Sequence, residues 1–304
     1  MNMHLMRGAA LLLLAGTLAG CSGDDAPVAA DAPRLPDAVQ LTTNDDVFEA
    51  NPIYSPDGQW ILFEAEVDGN RDLWRMPAAG GDAERLTSDP AFDSSPYWAP
   101  DGGAIVFESD RDGRKHIWIL DLTTPGAAPT ALTSGDGDDG SPAWSPDGTR
   151  IVYESNRERR LGTDLWASPV AGGEAERLTK SDDGVYHRSA DWSPDGTEIV
   201  FEANLDAGSV ALHILHLESG EMHRITPLPG YEGHPSWSPD GARIAFEAMV
   251  NGTMEIGVVA ATGGKVRMVT DTGGYWPRWS PDGRTIVYGS FGANEPNLWW
   301  IPVE

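Results

Sequence analysis

The stretch "AWSPDGTRIVYESN", Ala143 to Asn156, decides the fold. Its centre, Pro146-Asp147-Gly148, is a turn signal: proline presets φ for the first turn position, aspartate tolerates the second, and glycine accepts the positive φ that closes a hairpin. A tryptophan precedes the turn and an alternating apolar run follows it, which predicts two antiparallel strands. Glu154 ends that run at a position where apolar alternation does not require a charge.

The same phrase occurs six times along the 304-residue chain. The turn aspartates are 42 to 48 residues apart, at Asp57, Asp101, Asp147, Asp195, Asp240 and Asp282. Each copy supplies a hairpin and a third strand such as "DLWASP", and five copies add a short fourth strand that ends in threonine. Four antiparallel strands at this period are the signature of a β-propeller blade. We therefore predict an all-β fold, a six-bladed β-propeller of four-stranded antiparallel blades over residues 41–304.

The two ends of the repeat region predict how the ring closes. The last copy stops after its third strand, "NLWWIPVE", and the segment "VQLTTND" before the first copy resembles an isolated fourth strand that ends in Thr42. The N-terminal strand is therefore predicted to complete the last blade, which leaves no open sheet edge.

The residues before the repeats resemble the export signal of a bacterial lipoprotein. A short apolar run follows Arg7, and Leu18-Ala19-Gly20-Cys21 resembles a lipobox, with Cys21 the single cysteine of the chain. We expect residues 1–20 to be a signal peptide and residues 21–40 a flexible tether with a lipid on Cys21. The alternative is an ordinary secretory signal followed by an incidental cysteine.

The resemblance also indicates where the protein resides. In bacterial lipoproteins an aspartate after the cysteine favours the inner membrane, and Ser22 stands there instead. This points to an outer-membrane lipoprotein of the bacterial cell envelope that faces the periplasm or the surface. We expect a monomer attached to the membrane through Cys21. The formal net charge of −26 opposes binding to nucleic acid.

The repeated consensus "PxWSPDGxxIVFES…G…LWxxPxxGGxxxRLT" resembles the TolB-type propeller repeat, which is related to the propellers of the prolyl oligopeptidase clan. The resemblance covers residues 41–304 and implies a role in binding an envelope partner. TolB carries an α/β domain ahead of its propeller, whereas only the tether is expected in this chain. The Gly-x-Ser-x-Gly elbow of the hydrolases in that clan does not occur in the sequence.

A glutamate ends the second strand in five of the six copies, at Glu64, Glu108, Glu154, Glu202 and Glu247, and Gly289 takes its place in the sixth. The architectural interpretation is that each glutamate accepts hydrogen bonds from the adjacent blade. The alternative is a cation site at the channel mouth, for which Ca²⁺ is the natural oxygen-ligated ion. The first strands begin at the same level, with Glu49, Asp93, Asp139, His187, Glu232 and Gly274. No other cofactor is indicated.

The last three copies break the symmetry of the repeat with aromatic and basic residues. We predict a ligand-binding arc on one side of the mouth, formed by Tyr186, His187, Arg188, Tyr231, His234, Tyr275, Trp276 and Arg278. Aromatic rings and directed donors suit a protein, a peptide or a glycan. The alternative is that these rings fill the taper between blades.

Catalysis receives less support from the sequence than binding does. Some polysaccharide lyases use a related propeller with a histidine-based metal site, and only His187 with His234 could imitate that site in this chain. The favoured hypothesis is a non-catalytic binding protein, with a carbohydrate-active enzyme or a structural scaffold as alternatives. The basic run Arg157, Arg159 and Arg160 is interpreted as a solvated loop that could also contact a partner.

Overall fold

A computed structural model describes residues 38–43, 47–158, 161–205, 208–291 and 296–303. The described residues form twenty-four strands in six four-stranded antiparallel sheets. The first strands of the six sheets contact one another in a closed cycle around a central channel. The chain is thus a six-bladed β-propeller, as the repeats predict.

The strand bounds follow the repeat, and the strands of each blade succeed one another from the channel outward. Blades 1 and 2 contain β2 (Phe48–Tyr54), β3 (Trp60–Val67), β4 (Asn70–Pro77) and β5 (Glu84–Arg85), then β6 (Asp93–Trp98), β7 (Ala104–Ser109), β8 (His116–Asp121) and β9 (Thr130–Ala131). Blades 3 and 4 contain β10 (Asp139–Trp144), β11 (Arg150–Ser155), β12 (Asp164–Pro169) and β13 (Glu176–Arg177), then β14 (His187–Trp192), β15 (Glu198–Ala203), β16 (Ala211–His216) and β17 (Met222–Arg224). Blades 5 and 6 contain β18 (Glu232–Trp237), β19 (Arg243–Val250), β20 (Thr253–Ala260) and β21 (Arg267–Met268), then β22 (Tyr275–Trp279), β23 (Thr285–Phe291), β24 (Pro296–Pro302) and β1 (Val39–Gln40).

The repeated turn is held by its own side chains. In blade 1 the Ser55 hydroxyl donates to Asp57 Oδ1 at 2.6 Å, and the amide of Gln59 donates to the same oxygen at 3.0 Å. Gly58 has a φ of 70°, a left-handed conformation that glycine adopts without steric cost. The serine and the aspartate of the motif therefore close the hairpin that joins the first and second strands.

Apolar clusters join each blade to its neighbour. One cluster combines Ile61 and Phe63 of blade 1 with Val287 and Leu298 of blade 6. The other clusters join consecutive blades in the same way. Because every blade buries both faces against neighbours, the ring is stabilised mainly by apolar surface removed from water.

The N-terminal strand closes the ring as predicted. β1 pairs with β24, with Val39 opposite Trp300, and the amide of Leu298 donates to Thr42 Oγ1 at 2.9 Å. The strand begins two residues before the predicted domain start at residue 41. Cys21 and residues 1–37 lie outside the described residues, so the signal peptide, the lipid site and the tether stay predictions. No segment in the described part of the chain forms a helix that is long and apolar enough to cross a membrane.

Candidate functional site

The channel opens on two faces that the topology makes chemically different. The Ser-Pro-Asp-Gly turns join the first and second strands of every blade at one end, which we call the turn face. The loops between second and third strands, and those that lead into the next blade, lie at the other end. We call this end the mouth face, because the first strands begin there.

Every first strand contains a bulge near the mouth with one residue at positive φ. The strand register shifts at this point in all six blades. The six residues have φ between 46° and 53°: Asn51, Ser95, Ser141, Ser189, His234 and Trp276. This left-handed conformation is unfavourable for a residue with a Cβ and turns the amide away from the ladder.

These amides meet the repeated glutamates. The amide of Ser95 donates to Glu64 at 2.7 Å, and that of Ser141 donates to Glu108 at 3.0 Å. The amide of Trp276 donates to Glu247 at 2.9 Å. We call the five glutamates the carboxylate ring. Because each bond joins the second strand of one blade to the first strand of the next, it is an inter-blade latch of the kind the architectural interpretation predicts.

The latch also forms between blades 4 and 5 and fails between blades 3 and 4. The amide of His234 donates to Glu202 at 3.3 Å. Glu154 Oε2 is buried without a hydrogen-bond partner among the described residues and lies 3.8 Å from Arg188 Nε. Burial raises the pKa of Glu154 to about 8, with the carboxylates of Glu108 and Glu202 adding to the shift and Arg188 opposing it.

Glu247 is the member of the ring that pairs with a histidine. It accepts from His234 Nδ1 at 2.9 Å and from the Tyr231 hydroxyl at 3.1 Å, besides the Trp276 amide. Burial alone would lower the pKa of His234, but the charges of Glu247 and Glu202 outweigh it and raise this pKa to about 9. Burial would raise the pKa of Glu247, and the charge of His234 and the hydrogen bonds bring it below its ordinary value. His234 and Glu247 therefore form a charged pair at neutral pH.

No group of three or more His, Cys, Asp or Glu side chains within the described ranges is arranged to hold a metal ion. The ring carboxylates instead lie against amides and cations of the protein. Lys115 Nζ is 2.8 Å from Glu108 Oε1, and Arg71 Nη1 is 3.1 Å from Glu64 Oε1. The Ca²⁺ interpretation stays a prediction.

The acids that begin the first strands are buried in contacts within and between blades. Arg111 binds both carboxylate oxygens of Asp93 at 2.7 and 2.8 Å, and Arg157 binds Asp139 in the same way. Thr42 donates to Glu49, whose pKa burial raises to about 7 against that hydrogen bond. These side chains hold the blades and do not line the mouth.

Two residues of the predicted arc lie elsewhere. His187 is fully buried, with Nδ1 2.7 Å from Thr179 Oγ1 and its ring edge-on to Phe201. His187 and Arg188 are successive residues of a strand, so their side chains point to opposite faces, and only Arg188 is exposed. Arg278 lies deeper in the channel, with its Nη1 3.9 Å from Asp191 Oδ1 and 3.2 Å from the Pro235 carbonyl oxygen. His187 and Arg278 therefore do not line the mouth face, and ligand binding by the arc stays a prediction.

The other six residues of the arc lie at the mouth face in two groups. The guanidinium of Arg188 lies 4.1 Å from the ring centre of Tyr186 in blade 4. The rings of Tyr275 and Trp276 are 5.4 Å apart, and Trp276 is edge-on to His234 at 6.4 Å. Tyr231 joins the second group through Glu247.

A cavity of about 430 Å³ opens at the mouth on the side of blades 1 and 2. Its walls include the rings of Phe48, Phe92 and Trp276 and the cationic groups of Arg71 and Lys115. Sequence reasoning missed all of these except Trp276. The available signal was spacing, because Arg71 and Lys115 each follow a ring glutamate by seven residues.

A second cavity, of about 230 Å³, lies on the turn face among the tryptophans and prolines of the repeat. Its floor is formed by Tyr97, Asp191 and Arg278, which project into the channel from blades 2, 4 and 6. The two cavities share no lining residue. The three side chains therefore act as a plug between them.

The chain matches the family model described as the TolB beta propeller domain over residues 37–127 and 185–298, more than half of its length. It matches none of the curated proteins. Its fold is similar to that of a TolB protein from Agrobacterium tumefaciens, with a TM-score of 0.67 and 22% identity over 84% of this chain and 90% of that one.

Two further solved structures share the fold. TolB from Acinetobacter baumannii has a TM-score of 0.65 and 20% identity, with 87% of this chain covering 65% of that protein. An oligogalacturonate lyase in complex with manganese has a TM-score of 0.62 and 16% identity, over 90% of this chain and 97% of that one. At these identities the likeness shows the fold alone.

Proposed function

This chain belongs to the TolB β-propeller family, and we propose that it is a non-catalytic binding protein whose mouth face receives a peptide segment of an envelope partner. The observation that carries the proposal is the cavity beside the carboxylate ring. Aromatic rings supply contact area at low conformational cost, and Arg71 and Lys115 supply directed donors. The cavity volume lies within the range of about 300–1,000 Å³ usual for ligand pockets.

A rim of exposed apolar side chains around the mouth face supports a protein partner. Its members come from loops and strand ends of different blades: Phe92, Leu161, Leu205, Met249 and Phe291. Each is 43% to 58% exposed. Exposed apolar side chains on one face give a protein partner apolar surface to remove from water.

β24 runs from the mouth face to the turn face, so the antiparallel β1 begins at the turn face. A lipid on Cys21 is the proposed anchor of the chain. Metabolic labelling with palmitate tests the anchor, and we expect Cys21→Ser to abolish the label. A label that persists in that variant would contradict it.

Site-specific photo-crosslinking tests the binding function. A benzoylphenylalanine at Phe92 in the full chain, expressed in its own cells, should crosslink to a protein, and mass spectrometry should map the crosslink to one segment of it. The same probe at Arg284, which is exposed on the turn face, is the matched control. Equal yields at the two positions, or no protein crosslink at Phe92, would contradict the proposal.

The competing hypothesis is a lyase that uses His187 and His234 at the mouth. The reason to consider this reaction class is that oligogalacturonate lyase has a similar fold. It requires His187 to leave a fully buried position next to Thr179 and Phe201. A metal-dependent loss of oligogalacturonate that His234→Ala abolishes would support the lyase over the binding protein.

A further inference from the structure

The carboxylate ring has one gap, and it lies at the seam where the propeller closes. Five blades place a glutamate at the end of the second strand, and blade 6 places Gly289 there. Gly289 pairs with Tyr275 as Glu247 pairs with Gly233, so it occupies the same register position. The absence of a side chain at this position, and not a shift of the strand, creates the gap.

The amide that would face the sixth carboxylate belongs to Asn51. Asn51 has a φ of 49°, like its five counterparts, and lies at the same bulge without a partner in the strand register. Within the described ranges no side chain accepts a hydrogen bond from the backbone amide of Asn51, whose side chain bonds Glu64, whereas the backbone amides of four of the five counterparts donate to a ring glutamate. The backbone thus keeps the donor conformation although the acceptor is missing.

The gap opens into the mouth cavity. Asn51 and Trp276 both line that cavity, and the indole of Trp276 lies against Gly289 where a side chain would otherwise start. Arg71 lines the same wall, 29% exposed, with its guanidinium 4.5 Å from the ring centre of Phe48. An amide donor, a guanidinium and two aromatic rings therefore face one space.

We propose that a carboxylate of the bound ligand occupies this gap, accepts the hydrogen bond of the Asn51 amide beside Arg71, and so completes the carboxylate ring. The proposal rests on the proposed function and names the chemistry of its ligand. The register position of the missing glutamate and the backbone donor that faces it carry the proposal, because a carboxylate accepts from backbone amides and arginine more strongly than a neutral oxygen does. The ligand is an acidic peptide segment, with an aspartate, a glutamate or a chain terminus in the gap.

Nuclear magnetic resonance of the uniformly ²H,¹⁵N-labelled full chain tests the site with defined probes. N-acetyl-glutamate α-amide should move the amide proton of Asn51 downfield, and its neutral analogue N-acetyl-glutamine α-amide at equal ionic strength should not. Equal shifts with the two probes, or no shift with either at 50-fold molar excess or more, would overturn the proposal. D-galacturonate, with D-galactose as its neutral control, tests whether the carboxylate belongs to a peptide or to an acidic sugar. A response to galacturonate without a response to N-acetyl-glutamate α-amide would overturn the peptide assignment in favour of an acidic sugar.

Two variants at one position test the gap itself. Gly289→Glu supplies the missing carboxylate, so the Asn51 amide should already lie downfield without a probe and the response to the probe should fall at least tenfold. Gly289→Ala adds the same Cβ, which would lie 3.0 Å from Trp276 Cε3, without a carboxylate, so it controls for the displacement of the indole and should keep the response within about twofold. If Gly289→Glu does not fold, a lost response in Gly289→Ala with the Trp276 indole resonance unshifted would still overturn the proposal.

The two proposals can fail separately. A mapped protein crosslink at Phe92 with no carboxylate response at Asn51 would support the binding function and overturn the proposal that a ligand carboxylate binds in the gap. A carboxylate response at Asn51 with no protein crosslink would support carboxylate binding in the gap and overturn the proposal of a peptide partner.

Discussion

Tyr97 and Asp191 join blades 2 and 4 across the channel: the tyrosine hydroxyl donates to Asp191 Oδ1 at 2.9 Å. The other oxygen of Asp191 accepts the amide of Trp237 at 2.8 Å, and Arg278 Nη1 lies 3.9 Å from Oδ1. Each of the three plug residues stands at the position after the proline of its blade, or after Ala190 in blade 4. The equivalent positions elsewhere hold Ile53, Ala143 and Ser236. The three plug residues therefore depart from the repeat, and contacts across the channel hold them together.

Removing the tyrosine hydroxyl should destabilise the propeller. Burial raises the pKa of Asp191 despite Arg278, so its carboxylate depends on the remaining donors. We expect Tyr97→Phe to lower the free energy of unfolding by about 1–2 kcal/mol, the usual cost of an unmade buried hydrogen bond. Urea denaturation measures this, with Tyr186→Phe at a half-buried ring as the control. Equal losses in the two variants would show that the bond across the channel adds nothing.

The latch of Glu247 should matter more than an exposed ion pair. Glu247→Ala removes the acceptor of three donors, and we expect a loss of about 3 kcal/mol in the free energy of unfolding, at the low end for breaking a buried pair. Glu66 pairs with Arg71 at 3.3 Å and is 39% exposed, so Glu66→Ala should cost less than about 1 kcal/mol. A cost for Glu247→Ala no larger than that of Glu66→Ala would contradict the latch.

The His234–Glu247 pair predicts a loss of stability in alkaline solution. The pKa of His234 rises from 6.5 in the unfolded chain to about 9 in the folded protein, so the folded state binds more protons between these values. This contribution is complete below pH 6.5 and is lost as the pH rises to about 9. We expect His234→Gln to remove about 3 kcal/mol of this pH dependence, at about 1.4 kcal/mol per pKa unit. Denaturation curves of the two proteins at about pH 6 and about pH 9.5 measure it, and parallel pH profiles would contradict it.

Glu154 predicts a second pH effect, which a different variant isolates. Its folded pKa of about 8 lies above the ordinary 4.5, so ionisation opposes folding and stability falls as the pH rises between these values. We expect Glu154→Gln to match the unmodified chain at about pH 4.5 and to exceed its free energy of unfolding by at least about 1 kcal/mol at about pH 8.5. Glu247→Gln serves as the comparison, because against burial the charge of His234 and the hydrogen bonds hold the pKa of Glu247 below its ordinary value, so this variant should lose stability instead. A loss of stability in Glu154→Gln at the higher pH would contradict the account.

The repeat was enough to predict the fold, and it was less informative about the site. Six Pro-Asp-Gly turns and an isolated N-terminal strand define the blades and their closure, because turn chemistry and strand alternation are local. The local sequence does not determine the direction in which each side chain near the bulge points. His187 and Arg188 differ by one residue, yet one is buried between blades and the other faces the mouth. Arg71 lies on a third strand and Lys115 directly precedes one, and only the assembled ring brings them beside the first strands that line the mouth.

The central claim is that the mouth binds its ligand at the one gap in the carboxylate ring. The most direct test is the yield of protein crosslink from a benzoylphenylalanine at Phe92 in cells, compared between the unmodified chain, Gly289→Ala and Gly289→Glu, with each variant shown to be folded. The account predicts that Gly289→Ala keeps the yield within about twofold and that Gly289→Glu lowers it at least tenfold. An undiminished yield in folded Gly289→Glu would contradict it.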